Sequence, residues 1–220
     1  MEKAVRLTLS SSDMSRIVEN ICEIIEKEQG YLSELDGAIG DGDHGVNMAK
    51  CFREVKKKLP ESAGKDIGTI LKNVGMVVLN SVGGAMGALY GTFFLKASKE
   101  ATGKSEITLD DLIRMFDAGQ KGIQEMGKAQ PGDKTLLDTI DPALKALKNA
   151  RAQEKPLTDA LADFAAAAGK GAESTRDMIS KIGRSSRLGE RTLGHQDAGA
   201  TSCYFILSAF YHGIRAETSG

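Results

Sequence analysis

The chain has 220 residues, which is long enough to bury a substantial hydrophobic core and excludes small disulfide-stapled and disordered proteins. Its 29 basic and 30 acidic side chains give a net charge of −1, so no overall basic field favours nucleic acid or an anionic membrane. Its 3 cysteines are far apart in apolar surroundings, and no apolar run approaches the ~20 residues that span a bilayer. We therefore expect a cytoplasmic protein with no nucleic-acid or membrane partner.

Apolar residues recur at helical spacing along almost the whole chain, as Ile17, Ile21 and Ile24 do near its start. Alternating runs typical of strands are almost absent, and the best of them is Val5 to Leu9. The pattern predicts an all-α protein with no sheet. Pro142 is expected to kink the sixth helix or to delay its start. In chain order, the predicted helices are 12–30, 44–59, 65–82, 85–101, 109–126, 134–149, 157–181 and 198–216.

The junctions between these helices are of two kinds. Four are rich in glycine, whereas the other three have the composition of ordinary solvated turns. Because short connections favour antiparallel neighbours, an up-and-down bundle brings alternate junctions to the same end. No repeat or linker divides the chain, so we predict one domain over residues 1–220 with its site at one end of the bundle. The glycine-rich junctions are 36–45, 83–87, 127–135 and 183–199.

The first glycine-rich junction contains three aspartates, Asp36, Asp41 and Asp43. Interleaved glycines let the backbone turn until several carboxylates face inward, and hard oxygen ligands suit Mg²⁺ or Ca²⁺. A calcium EF-hand does not fit, because its glycine and glutamate positions, counted from Asp41, hold Val46 and Phe52. The spacing predicts a Mg²⁺ site. The alternative is that the aspartates only cap turns and the following helix.

The other three glycine-rich junctions offer contacts for an anion. The second leads into a helix whose first N–H groups lack partners and attract phosphate, although small residues also serve close helix packing. Lys134 and Arg184 flank glycine-rich turns and are candidates for phosphate contacts, with surface salt bridges as the alternative. Three carboxylates and a diphosphate repel each other unless divalent cations lie between them, so the charges predict metal-dependent nucleotide binding.

Four motifs, in this order along the chain, closely resemble the nucleotide-binding L subunit of bacterial dihydroxyacetone kinases, the DhaL family. They are Gly40-Asp-Gly-Asp-His-Gly45, Ser81-Val-Gly-Gly-Ala85, Pro131-Gly-Asp-Lys-Thr135 and Gly194-His-Gln-Asp197. The resemblance implies an eight-helix antiparallel barrel that holds ADP or ATP and two Mg²⁺ ions at one end. Residues 1–9 lie outside the family core and are expected to form a flexible extension.

The resemblance also implies roles for individual residues. The metal ligands fall on Asp36, Asp41 and Asp43, and no other catalytic residue is assigned. The nucleotide contacts fall on His44, Asn47, Ala85, Met86, Gly127, Leu136, Arg184 and Asp197.

The activity implied by the resemblance is phosphoryl transfer to an alcohol group. In this family the L subunit presents the nucleotide to a separate K subunit that carries dihydroxyacetone. In the phosphoenolpyruvate-dependent branch, an M subunit of the phosphohistidine type recharges the bound ADP. Still open are an exchangeable ATP, another ketose such as erythrulose, and the formation of a homodimer.

Three other functions remain as alternatives. The nucleotide-binding domain of fatty-acid kinase is the nearest, although it usually has threonine at the position of His44. A helical Mg²⁺-dependent ADP-ribosyl-hydrolase would use metal to activate water. A regulatory module would bind a transcription factor in its ADP-loaded state.

Overall fold

The computed structural model describes residues 7–81 and 83–215. Helices dominate this part of the chain, and the prediction of an all-α protein is confirmed. Short 3₁₀ turns follow α3, follow α8 and precede α9. The α-helices are α1 (Ser11–Lys27), α2 (Gln29–Ile39), α3 (His44–Lys58), α4 (Ile67–Ser81), α5 (Gly84–Glu100), α6 (Leu109–Gly127), α7 (Leu137–Ala152), α8 (Leu157–Ser174) and α9 (Ala198–Arg215).

Eight of these helices form a closed ring. α1 packs against α3, each helix from α3 to α8 packs against the next, and α9 returns to α1. Glycines show how closely neighbours approach: a Cβ on Gly68 would lie 2.7 Å from Cα of Thr102, and a Cβ on Gly91 would lie 3.0 Å from Cβ of Leu79. The first contact pairs the start of α4 with the end of α5, and the second pairs the end of α4 with the first half of α5, as an antiparallel pair requires. The predicted eight-helix barrel is confirmed, and α2 is an additional helix that packs on α3 and α9.

The interior of the ring is filled by the apolar faces of the helices. Phe116 is at its centre, with ring centroids 4.8 Å from Phe164, 5.2 Å from Phe210 and 5.7 Å from Phe93. Each of these rings is almost fully buried. Burying one such side chain stabilises a fold by roughly 1.5–3 kcal/mol, so this cluster holds α5, α6, α8 and α9 together.

Two short strands correct the prediction that the chain has no sheet. β1 (Thr8–Ser10) and β2 (Glu106–Thr108) pair antiparallel, with Thr8 opposite Thr108. Leu9 is fully buried, so the end of the predicted flexible extension is part of the fold, while residues 1–6 are outside the described residues. Each strand leads directly into a helix with a capping box, Ser10 with Asp13 for α1 and Thr108 with Asp111 for α6.

Two predicted helix boundaries are wrong for identifiable reasons. The first helix ends at Lys27, and the chain turns at Glu28 into α2, which continues through Gly30 to Ile39. The predicted helix 157–181 ends at Ser174, where the hydroxyl groups of Ser174 and Thr175 donate to the carbonyls of Gly171 and Ala172. Such side-chain bonds compete with the helical pattern and favour its termination.

The loops divide between the two ends of the barrel as the junction pattern predicted. At one end, Ile67 N–H donates to the Lys104 carbonyl at 2.9 Å and Ser11 N–H donates to the Ser105 carbonyl at 2.8 Å. At the other end, residues from all four glycine-rich junctions line a single cavity. In the described part of the chain, no helix has both the length and the apolar character needed to cross a bilayer.

Candidate functional site

A cavity of about 510 Å³ opens at the glycine-rich end of the barrel. Its volume lies within the range typical of small-molecule sites, roughly 300–1,000 Å³. The turn after α2, the first turn of α3, the start of α5, the loop before α7 and the long loop between α8 and α9 all contribute to its wall. Helix starts expose unpaired N–H groups, so the cavity is suited to an anionic ligand.

Three carboxylates converge on one side of this cavity. Asp36, Asp41 and Asp43 each offer an oxygen, and these oxygens lie within 4.8 Å of one another. The chain can turn this tightly because Gly42 has a φ of +77° and because a Cβ on Gly40 would overlap the Asp36 carboxylate. Asp36 is partly buried and accepts a hydrogen bond from His44 N–H at 3.2 Å, whereas the other two are exposed. An all-oxygen ligand set of this kind fits Mg²⁺.

The loop between α8 and α9 reaches across to the carboxylates. The guanidinium of Arg184 forms an ion pair with Asp41, and 70% of the Arg184 side chain is exposed. Gly183, beside it, has a φ of +82°, a conformation that favours glycine. Arg184, from the glycine-rich junction 183–199, therefore lies beside the carboxylates of the glycine-rich junction 36–45.

His44 is at the inner wall of the cavity and is 7% exposed. Its Nε2 lies 2.9 Å from Oγ of Ser202, and this Oγ lies 2.8 Å from the hydroxyl of Tyr90. Burial lowers the pKa of His44 to about 4, although the nearby Asp36 acts in the opposite direction. The ring is therefore neutral near pH 7. Tyr90 and Ser202 could not be predicted as site residues from the sequence, because both fit the apolar faces of their helices.

Lys134 has a different role from the one predicted. Its side chain is buried, and Nζ donates to the carbonyls of Met178 at 3.0 Å, Thr192 at 2.6 Å and His195 at 2.6 Å. An ammonium has three hydrogens, and these bonds use all of them, so Lys134 fixes the loop rather than contacting a phosphate. Burial lowers its pKa, while Asp197 and Asp177 raise it.

Asp197 lies at the start of α9 and lines the cavity. One of its carboxylate oxygens accepts a hydrogen bond from Ala200 N–H at 2.7 Å. Burial raises the pKa of Asp197 to about 6; the bond from Ala200 and the charge of Lys134 oppose this, and the charges of Asp138 and Asp36 add to it. Asp197 is therefore an ionisable group at the edge of the carboxylate cluster.

The remaining predicted contacts occupy several parts of the wall. Asn47, Ala85, Met86 and Leu136 line the cavity. Gly127 ends α6 and is not among the lining residues. A Cβ at this position would lie 3.3 Å from Leu89, which does line the cavity.

Comparisons with known proteins identify the family of this chain. The model of the DAK2 domain matches residues 38–212. The ADP-binding subunit DhaL of the PEP-dependent dihydroxyacetone kinase of Escherichia coli (strain K12) is 43% identical over 201 residues, covering 91% of this chain and 96% of the relative. The DhaL subunit of the PEP-dependent dihydroxyacetone kinase 2 of Listeria innocua is 40% identical over 211 residues, covering 95% of this chain and 97% of the relative.

A solved structure extends the likeness to the fold. The crystal structure of the dihydroxyacetone kinase of C. freundii in complex with AMP-PNP and Mg²⁺ matches with a TM-score of 0.70 and 25% identity, covering 96% of this chain and 36% of that chain. The family match spans most of the chain, and the DhaL relatives align over nearly their whole length. The chain therefore belongs to the DAK2 domain family and, within it, to the DhaL group.

Proposed function

We propose that this chain is the ADP-binding subunit of a dihydroxyacetone kinase, which presents a nucleotide phosphate to an acceptor held by a K subunit. The observation that carries the proposal is the convergence of Asp36, Asp41 and Asp43 with Arg184 at the mouth of one cavity. The DhaL relatives are named as ADP-binding subunits, which supports ADP as the bound nucleotide.

The charges explain why this site needs a divalent cation. The three carboxylates would repel the phosphates of ADP or ATP, and Arg184 and the helix starts offset only part of that repulsion. Bound Mg²⁺ would supply the remaining positive charge at the phosphate oxygens. We propose two Mg²⁺ ions, held by Asp36, Asp41 and Asp43.

The chain's own residues would bind and orient the nucleotide. Asn47, Ala85, Met86 and Leu136 form parts of the wall around the cavity, with His44 and Asp197 at its inner side. Gly127 would contribute indirectly, because its lack of a side chain leaves room for Leu89, which lines the cavity. Positioning of this kind is the main protein contribution to phosphoryl transfer.

The cavity opens at the end of the barrel, so the phosphate would be accessible to partner proteins. We propose a K subunit carrying dihydroxyacetone as the acceptor protein and a phosphohistidine-type M subunit that recharges bound ADP, in the cytoplasm. Another ketose such as erythrulose, and a homodimer, remain open within this proposal.

Calorimetry with ADP tests the metal-dependent binding. We expect ADP to bind in the presence of Mg²⁺ and to lose most of its affinity in EDTA. Asp43→Asn should abolish Mg²⁺-dependent binding and phosphotransfer without loss of helicity by circular dichroism. A matched control is Asp159→Asn, an exposed aspartate in the first turn of α8, which should bind ADP normally. Equal ADP affinity with and without Mg²⁺ would contradict the proposal.

Reconstitution tests the reaction. The chain, mixed with a K subunit, an M subunit and the phosphoenolpyruvate-dependent phosphate donors, should support phosphorylation of dihydroxyacetone. Steady phosphate or ribose release by the isolated chain would instead favour a hydrolase.

A further inference from the structure

A chain of buried polar groups connects the cavity wall to the interior of the barrel. His44 begins α3, Tyr90 lies on α5 and Ser202 lies on α9, so three helices contribute to it. All three side chains are buried, and Ser202 is fully buried. His44 Nε2 is 2.9 Å from Ser202 Oγ, which is 2.8 Å from the Tyr90 hydroxyl.

The carbonyl of Gly199 completes this network. It lies 3.1 Å from Ser202 Oγ and 3.2 Å from the Tyr90 hydroxyl. A carbonyl can only accept hydrogen bonds, so neither contact can receive a hydrogen from Gly199. Among His44, Ser202, Tyr90 and Gly199 there are therefore four contacts of hydrogen-bond length, to which the two hydroxyls supply only two hydrogens. The thiol of Cys203 is a further hydrogen-bond partner of Tyr90 and is the same for both tautomers of His44.

Counting hydrogens decides which nitrogen of His44 is protonated. If Nε2 carries the hydrogen, three of the four contacts each have a hydrogen of their own, and both hydroxyl groups are used fully. If Nδ1 carries it instead, at most two of the four contacts have one, because the two hydroxyls are then the only donors among these four groups. The Nε2–H form therefore makes one more hydrogen bond among these buried groups than the Nδ1–H form does, so the Nε2–H form is favoured.

We propose that Tyr90 and Ser202 are positioning residues that hold the His44 ring in one orientation and in its Nε2–H tautomer. Nδ1 then keeps its lone pair, so it accepts a hydrogen bond and does not donate one. This step rests on the proposed ADP site. There, the hydrogen-bond donor to Nδ1 of His44 would be an N–H or O–H group of the ligand or of its hydration shell, because a phosphate oxygen offers no hydrogen. His44 thus presents an acceptor nitrogen to the ligand.

Imidazole ¹⁵N NMR at pH 7.5 tests the tautomer directly, without nucleotide or activity. The chain has only 3 histidines, and His44→Gln identifies the His44 signals by their loss. We expect one fixed form in the unmodified protein, with a protonated Nε2 and an unprotonated Nδ1. In Ser202→Ala, the two nitrogen signals should move towards their averaged positions, and the affinity for ADP with Mg²⁺ should fall about tenfold, the value of roughly one hydrogen bond.

Two further variants separate positioning from general stability. Tyr90→Phe removes only the hydroxyl, and we expect an intermediate shift of the nitrogen signals. Ser208→Ala is the matched control, because Ser208 is a buried serine of α9 whose Oγ likewise donates three residues back, to the Phe205 carbonyl at 3.0 Å. This control should change neither the tautomer nor the affinity.

Two results would overturn the inference: a protonated Nδ1 in the unmodified protein, or an unchanged tautomer in Ser202→Ala. If the unmodified chain bound no ADP, the proposed function would fail, and the tautomer measurement would still decide the role of Tyr90 and Ser202.

Discussion

The guanidinium of Arg184 lies against the carboxylate of Asp41 at the mouth of the cavity. The ion pair joins the loop after α8 to the turn after α2, and Asp41 is also one of the three clustered carboxylates. Arg184 therefore competes with any cation for this carboxylate. It is also an exposed cation that lines the cavity.

Replacing Arg184 by Gln should therefore change two affinities in opposite directions. Mg²⁺ or Mn²⁺ alone should bind more tightly, by up to about fivefold, because an exposed ion pair no longer competes. ADP with Mg²⁺ should bind about tenfold more weakly, because a charge-assisted contact to phosphate is lost. Calorimetry measures both.

Lys181→Gln is the control for this prediction. Lys181 belongs to the same loop and pairs with Asp133 at 3.3 Å, away from the carboxylate cluster. It should leave both affinities unchanged. A loss of Mg²⁺ affinity in Arg184→Gln would show that the arginine does not compete for Asp41.

Lys134→Met should loosen the loop between α8 and α9. The substitution keeps an unbranched side chain, one heavy atom shorter, but leaves the carbonyls of Met178, Thr192 and His195 without their donor. We expect the free energy of unfolding to fall by about 3 kcal/mol, the scale for breaking a buried charged network. Urea unfolding measures the loss, and faster amide exchange over residues 178–196 would locate it.

The exposed Lys181→Met serves as the comparison for this substitution. It should change stability by no more than about 0.5 kcal/mol. Similar exchange rates in Lys134→Met and the unmodified protein would mean that the three bonds do not hold the loop.

The barrel and the position of its site could be predicted from the sequence because both depend on local signals. Helical periodicity identified the ring helices, and short junctions fixed which loops share an end. The pairing of β1 with β2 could not be predicted, because each strand has only three residues and its partner strand lies far along the chain. α2 was not predicted either: the predicted helix 12–30 runs past Glu28, where the chain turns from α1 into α2.

Within the site, sequence identified residue types more reliably than their partners. The three aspartates are close in sequence, so glycine spacing alone predicted that they meet. The role of Lys134 depends on three carbonyls that only the folded loop brings together. Nothing in the sequence distinguishes Tyr90 and Ser202, because each lies on a buried helix face at a position where the helical spacing also fits an apolar residue.

Acid should weaken the start of α6 through Asp111. Burial raises the pKa of this carboxyl, but hydrogen bonds from Lys104 and Thr108 outweigh that effect and lower it to about 2. A lowered pKa contributes stability above the unfolded pKa of about 3.8, and that stability is lost as the pH falls through 2. The contribution at pH 7 is about 2 kcal/mol.

Urea unfolding of Asp111→Asn across pH 2–7 tests this. The difference in free energy of unfolding between this variant and the unmodified protein should be largest at pH 7 and should shrink below pH 4. Asp110→Asn is the control, because the neighbouring Asp110 is exposed and pairs with Arg151 at 2.7 Å. A difference for Asp111→Asn that stays constant down to pH 2 would contradict the assigned pKa.

The approach of α2 to α3 sets the relation between Asp36 and the other two aspartates. α2 carries Asp36, α3 follows Asp43, and the two helices meet at Gly45. A Cβ on Gly45 would overlap the carbonyl oxygen of Gln29 and lie 2.7 Å from Oγ of Ser33. Backbone atoms cannot move aside cheaply, so the helices would have to separate.

Gly45→Ala should therefore lower the free energy of unfolding by about 1–3 kcal/mol and weaken Mn²⁺ binding as Asp36 moves away. Gly30→Ala, on the same helix pair, has nothing within 4 Å of the added Cβ and should gain about 0.5 kcal/mol with unchanged Mn²⁺ affinity. Urea unfolding and Mn²⁺ titration followed by electron paramagnetic resonance separate the two. Normal Mn²⁺ affinity in a destabilised Gly45→Ala would show that the contact between α2 and α3 at Gly45 does not position the metal ligands, because a separation of these helices moves Asp36 relative to Asp43.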